Sequence, residues 1–348
     1  MLKRNGMPAR RGERGVMIIW LALFLLVLIG FGSLSVDVAK LAATRTQLQN
    51  AADAAALAGA SAIDPETGVI VQPTATGRAQ TSAINNKAFI DEPQPVALAA
   101  ADVTFPAWNK IRVKVRREGA NGVVTTLAQV VGLKKLEITA TATAKLDTLS
   151  TALCGVLPLG VSPMGNNPFR VGCQYTYTLK SGSGGGGGGQ YGAVNFPQCL
   201  DRGDCAGMSP NGANTFRCLM KYGYCCPIKI GDVLKTESGN MSGPTKQAID
   251  YRFDTDACSD QGICYTEYLA RGGTGQRVVV IPITTPVPSH ATVTVLGFSA
   301  FFLKTRVGSG SGGTLQGEFL YKAIPGTGSG NGGGNGVTAF ALRLVPNS

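Results

Sequence analysis

The chain has one histidine, His290, and two tryptophans in 348 residues. A lone imidazole leaves any zinc site to rest on the cysteines, and His290 sits in a Pro-Ser-His-Ala turn far in sequence from any cysteine nucleophile. No C-x-x-C pair and no G-x-S-x-G elbow occur, so a zinc ribbon and an acyl-transfer site both lack their residues. Acidic residues are scarce, 21 against 32 lysines and arginines, for a net charge of +11. That balance invites a nucleic-acid partner. The positive charge is dispersed, however, and no recognition motif or interleaved aromatic platform accompanies it, so no nucleic acid is expected. Arg112, Lys114, Arg116 and Arg117 read instead as the solvated face of a strand. The glycine tracts at 181–189, 308–313 and 326–336 have no Lys-Ser/Thr behind them and no strand-to-helix context. They are flexible loops rather than phosphate cradles, so no cofactor and no small-molecule substrate is expected.

Charge is missing altogether from residues 16–36, VMIIWLALFLLVLIGFGSLSV. At about 1.5 Å per helical residue this run crosses a hydrocarbon core of about 30 Å, and it reads as a transmembrane helix. Lys3, Arg4, Arg10, Arg11 and Arg14 precede it against the single acid Glu13. The excess of Lys and Arg places the N-terminus in the cytoplasm and residues from 37 onward outside it. A cleaved signal peptide is the competing reading, but its apolar core is shorter and ends in a small-residue site. The anchor is expected to stay whole.

Behind the span, residues 37–63 are rich in alanine and leucine, with no proline and no glycine before Gly59. The helix is expected to continue as a stalk. Ala51, Ala55 and Gly59 lie on one face, and Ala52, Ala56 and Ala60 on the next, giving two ridges of small side chains at four-residue spacing. Such ridges admit a closely packed helix, and either a partner helix or the chain's own outer domain satisfies the pattern. Asp64, Pro65 and Gly68 end the helix.

The remainder predicts an α+β chain. Residues 66–147 read as a small α/β unit, with a helix over 75–89, strands at 103–105 and 111–117 joined by a turn at 107–110, a short helix over 125–133, and an alternating strand at 136–146. Composition changes near Ser150. Cys154, Cys173, Cys199, Cys205, Cys218, Cys225, Cys226, Cys258 and Cys264 all lie beyond it, on the side of the membrane where disulfides persist. Four bonds and one leftover thiol are expected, with adjacent Cys225 and Cys226 seeking different partners and the six-residue steps 199–205 and 258–264 forming local loops. Asp254, Asp256 and Asp260 open like a calcium loop, yet the loop glycine and terminal glutamate are out of place, and a capped, tethered turn is the plainer reading. Strands at 277–287, 291–307, 317–324 and 337–345 predict one sheet of a β-rich domain over 150–348. The apolar FSAFFL within the second is too short to span.

Residues 10–60 carry a resemblance. The Arg-Gly-rich start, the single span, Asp37 at its outer end and the run Gln49-Asn50-Ala51-Ala52-Asp53-Ala54-Ala55-Ala56-Leu57-Ala58 resemble the N-terminal segment of TadE/TadG-like proteins of tight-adherence (Flp) pilus assembly. LPLGVSP at 157–163, ESGNMSGPT at 237–245 and LGFSAFFL at 296–303 resemble, more faintly, the C-terminal domain of Tad-like proteins. The resemblance implies a non-catalytic, membrane-anchored assembly component whose partners are the lipid bilayer and other pilus-assembly membrane proteins or pilin. Asp37, Gln49, Asn50, Asp53 and the alanine ridges are then the helix contact surface. Display of an adhesin on the same anchor is the alternative. The D-x-S-x-S motif of larger relatives is absent, as DTLST at 147–151 shows, and cleavage after Gly12 or Gly15 would put Met17 or Trp20 where processed pilins place glutamate.

Overall fold

The computed structural model describes residues 13–88, 94–126, 129, 132, 134–162, 169–180, 191–200, 202–237, 241–287, 291–308, 314–329 and 337–346. Helix α1, Glu13–Ala60, is one rod of 48 residues, about 72 Å long at 1.5 Å per residue. Its first half has no protein cover. Phe24 and Leu26 are 60% and 69% exposed, an apolar surface suited to lipid rather than water.

The second half is not a free stalk. From Leu48 onward α1 enters a core in which Ala51, Ala52, Ala55, Ala56 and Ala60 are fully buried. The chain reverses after the helix at a turn where Asp64 Oδ1 accepts the N–H groups of Glu66 and Thr67, each at 2.8 Å. Helix α2, Gln72–Asn85, then folds back along α1, with Ala75, Ala79 and Ala83 on its buried face. It starts three residues earlier than 75 because Pro73 in the first turn fits a helix start, where no backbone donor is needed.

Strands β1, Val103–Ala107, β2, Lys110–Arg117, and β3, Ile138–Ala152, form the sheet beneath these helices. The alternation of ITATATAKL sets its register. Ala140, Ala142 and Ala144 pair with Val115, Val113 and Ile111 on the core face, which leaves the threonines between them on the other. Small side chains on strand and helix alike let α1 lie close to the sheet.

Next in the chain are β4, Leu159–Val161, β5, Tyr177–Lys180, and β6, Tyr191–Asn195. Helix α3, Ala213–Tyr222, strand β7, Val233–Thr236, and helices α4, Ser242–Asp254, and α5, Tyr265–Ala270, follow. The chain ends with β8, Val278–Thr284, β9, Thr292–Leu303, β10, Thr314–Leu320, β11, Gly326–Ser329, and β12, Ala339–Val345. The second sheet has the order β7, β6, β4, β8, β9, β10, β5, and β7 also pairs with β9, so five of its strands close into a ring. FSAFFL lies inside β9, with Phe298, Phe301 and Phe302 fully buried.

Two sequence expectations change here. The last four strands do not share a sheet: β8, β9 and β10 belong to the second, whereas β12 crosses to the first and pairs with β3 from Phe340↔Thr148 to Val345↔Thr143. The expected division near 150 falls inside β3. That strand outruns β2, whose last partner on it is Lys145, and β11 pairs with the overhang, Gly326 opposite Ala152. The C-terminus thereby completes the sheet built at the N-terminus.

Candidate functional site: the outer end of the long helix

Asp37 is the first charged side chain after the apolar run of α1, and it is 5% exposed. Its Oδ1 accepts the backbone N–H of Thr126 at 2.6 Å. Thr126 follows one arm of a short hairpin in which Val123–Val124 pairs with Lys135–Leu136, and the Thr125 N–H donates to the Lys134 carbonyl at 3.2 Å. A charge-assisted bond thus ties that hairpin to the helix where it leaves its apolar stretch. Most of the expected helix over 125–133 lies outside the described residues.

Higher on the rod, Gln49 Nε2 donates to Asp53 Oδ1 at 2.8 Å and to the Thr141 carbonyl at 3.3 Å, so this pair docks helix to β3. Asn50 is exposed. Both small-residue ridges meet the chain itself. A β-carbon added at Gly59 would run into Ile111 Cδ1 of β2 and stand 3.1 Å from the Ala75 carbonyl and 3.4 Å from Ala79 Cβ of α2. Arg78 closes the outer side by donating to the Ser61 carbonyl at 2.8 Å. Of the two surfaces the ridge pattern left open, the described contacts fill the internal one.

A family model for Flp pilus-assembly TadE/G-like proteins matches residues 15–62. The anchor segment is similar to that family over this stretch. The matched stretch holds the uncovered apolar part of α1, Asp37, the Gln49–Asp53 pair and both alanine ridges, and it stops just after α1 ends. No curated protein matches the chain, and neither does any solved structure.

Beyond the TadE/G-like segment the cysteines pair as Cys154–Cys225, Cys173–Cys264, Cys199–Cys226 and Cys205–Cys218. Cys258 is free and buried. The six-residue steps do not close loops on themselves, since each cysteine in them that is bonded has a more distant partner. Among the described residues one cluster, Cys173, Cys264 and Glu318, has metal-ligand spacing. Its two sulfurs are spent on each other, and Glu318 pairs with Lys304 at 3.0 Å.

The three aspartates of the calcium-like stretch diverge. Asp254 pairs with Arg306 at 2.6 Å and Asp260 pairs with Arg271 at 2.5 Å. Asp256 turns inward, accepting the N–H of Cys258 at 3.0 Å, the N–H of Thr274 at 3.1 Å and the Tyr268 hydroxyl. Burial works to raise its carboxyl, but these bonds outweigh burial and hold it below the ordinary 3.8. The stretch is a capped turn. His290 lies outside the described residues.

Sequence reasoning missed the buried cations. Arg277 is fully buried; it donates to the carbonyls of Leu303 at 3.0 Å and Asp260 at 2.7 Å and lies 4.2 Å from the Phe253 ring and 4.6 Å from the Phe302 ring. Burial depresses its guanidinium, and burial likewise brings Arg252 down to about 10. Asp147, dismissed with DTLST, is 3% exposed and pairs with Lys145 at 2.6 Å and Arg343 at 2.8 Å, fastening β3 to β12. An acid in the middle of a strand made mostly of Thr, Ala and Leu was the available signal, because a buried carboxylate needs a partner.

Proposed function

We propose that this chain is a non-catalytic, membrane-anchored component in the assembly or anchoring of a tight-adherence (Flp) pilus. Its N-terminal tail lies in the cytoplasm, α1 crosses the inner membrane once, and residues from 37 onward stand in the periplasm or beyond. The match of residues 15–62 to the TadE/G-like family carries this reading. The uncovered apolar half of α1 supports the anchor, and four disulfides support a location outside the cytoplasm.

The partners are other pilus-assembly membrane proteins or pilin. Since the alanine ridges are buried within the chain, the surfaces left for partners are the lipid-facing side of the span and the outside of the folded domain. The chain would act by holding that domain at the membrane while pilus components assemble against it. Fractionation tests this. The chain should remain with inner membranes after alkaline washing and stay out of sheared surface filaments. Recovery mainly with sheared filaments would replace assembly with adhesin display.

A further inference from the structure

The bond from Thr126 to Asp37 fixes more than a hairpin. Residues 16–36 hold no charge and Asp37 is the next residue, so the outer boundary of the hydrocarbon falls at Asp37 once α1 is read as the anchor. Whatever touches Asp37 is therefore at headgroup level. The rod contains no proline, and its upper half is locked into the core from Leu48 to Ala60. The outer domain cannot swing away from the helix that carries it.

Two exposed lysines stand at this level. Lys134 and Lys135 lie on the hairpin arm facing Val123 and Val124, and the Lys134 carbonyl takes the N–H of Thr125, the residue next to Thr126. Val124 beside them is 47% exposed. Among the described residues Lys135 Nζ donates to the Ala120 carbonyl, an exposed contact that a phosphate can replace. The nearest acid on the same arm is Glu137, whose carboxylate is turned to the Gly119 N–H at 3.2 Å. Asp37 itself is covered. Val124 and Lys135 pair across the two arms and share one face of the hairpin, and Lys134 lies on the other, so the end of the hairpin at the level of Asp37 offers an ammonium group on each face with a small apolar side chain beside one of them, a pattern that suits an anionic interface.

We propose that this hairpin rests on the bilayer that α1 crosses, with Lys134 and Lys135 against the phosphates of anionic headgroups and Val124 at the edge of the acyl region. The proposal rests on the anchor reading. It makes the span and the hairpin a two-point attachment that seats the outer domain on the membrane at one height and one tilt.

The test uses the full chain reconstituted in vesicles of phosphatidylcholine alone or with phosphatidylglycerol, followed by hydrogen exchange of the peptide covering residues 119–137. Two lysines at an anionic surface predict exchange slowed by about fivefold to thirtyfold in the phosphatidylglycerol vesicles. High salt should abolish the difference, and so should the double variant K134Q/K135Q, while peptides from α2 exchange alike in both vesicles. Equal exchange in the two lipids, with the protein still held after an alkaline wash, would overturn the hairpin contact and leave the anchor standing. Release of the protein by the wash would overturn both.

Discussion

Replacing Gly59 with leucine tests which surface the helix ridges cover. The site is closed on three sides, by Ile111 of β2, the Ala75 carbonyl and Ala79 Cβ, the last two at 3.1 Å and 3.4 Å from an added β-carbon. Gly59 is the second-last residue of α1, so replacing it recovers at most the roughly 1 kcal/mol that glycine costs in a helix interior. Alanine adds a single carbon that Ile111 can accommodate by a small shift, so overpacking of about 1 kcal/mol leaves Gly59→Ala near neutral. Leucine adds three more carbons that must displace a backbone carbonyl or part α1 from α2. An overpacking cost of about 3 to 4 kcal/mol less the helix gain leaves Gly59→Leu destabilised by about 2 to 3 kcal/mol. In a folded region of more than 200 residues that lowers Tm by roughly 4 to 12 °C. Thermal unfolding of the detergent-solubilised chain, followed by near-ultraviolet circular dichroism, reads it directly. If Gly59→Leu melts with the wild type while pilus assembly fails, the ridge faces a partner and the internal packing described above is wrong.

Three other perturbations separate the remaining claims. Asp37→Ala removes a charge-assisted bond of about 1.5 to 3 kcal/mol, so exchange of residues 123–126 should quicken by at least about tenfold with little change in Tm, and Asp37→Asn should retain part of the protection; unchanged exchange would show that Asp37 does not hold the hairpin. Asp256 has a folded-state pKa below its unfolded value, so its contribution is present above about pH 3.8 and is lost as pH falls through the lowered value. Asp256→Asn should therefore cost about 2 kcal/mol at neutral pH and flatten the acid side of the stability curve, as urea titrations from pH 7 to pH 3 would reveal. Replacing Cys173 and Cys264 by serine opens a bond spanning 91 residues of sequence and should lower stability by about 3 to 5 kcal/mol, whereas Cys258→Ser should leave the disulfide count unchanged in a thiol titration.

How much of this was legible in the sequence follows from how local each signal is. The apolar run, the long helix, the hairpin of β1 and β2 and the alternating β3 are written in short-range periodicity, and the structure has a helix or a strand at each. The four disulfides and leftover thiol follow from nine cysteines gathered beyond residue 150, and the separation of Cys225 from Cys226 follows from their adjacency. Their partners required the fold. The return of β12 to the first sheet was invisible, because VTAFALRLV reads the same beside β10 as beside β3, and only the overhang of β3 and the Asp147–Arg343 pair decide between them. The small-residue spacing of the α1 ridges marks a face that admits close packing but could not name what it touches. Arg277 looked like the start of a strand. Nothing local shows that three aromatic rings and four backbone carbonyls converge on it.

The most direct test of the central claim is the amount of pilin in the sheared surface fraction of a strain lacking this gene, beside the same strain carrying it again. A role in assembly predicts that surface pilin disappears while pilin accumulates in the cell, with restoration by the intact gene. Surface pilin at the wild-type level in the deletion strain would contradict the account.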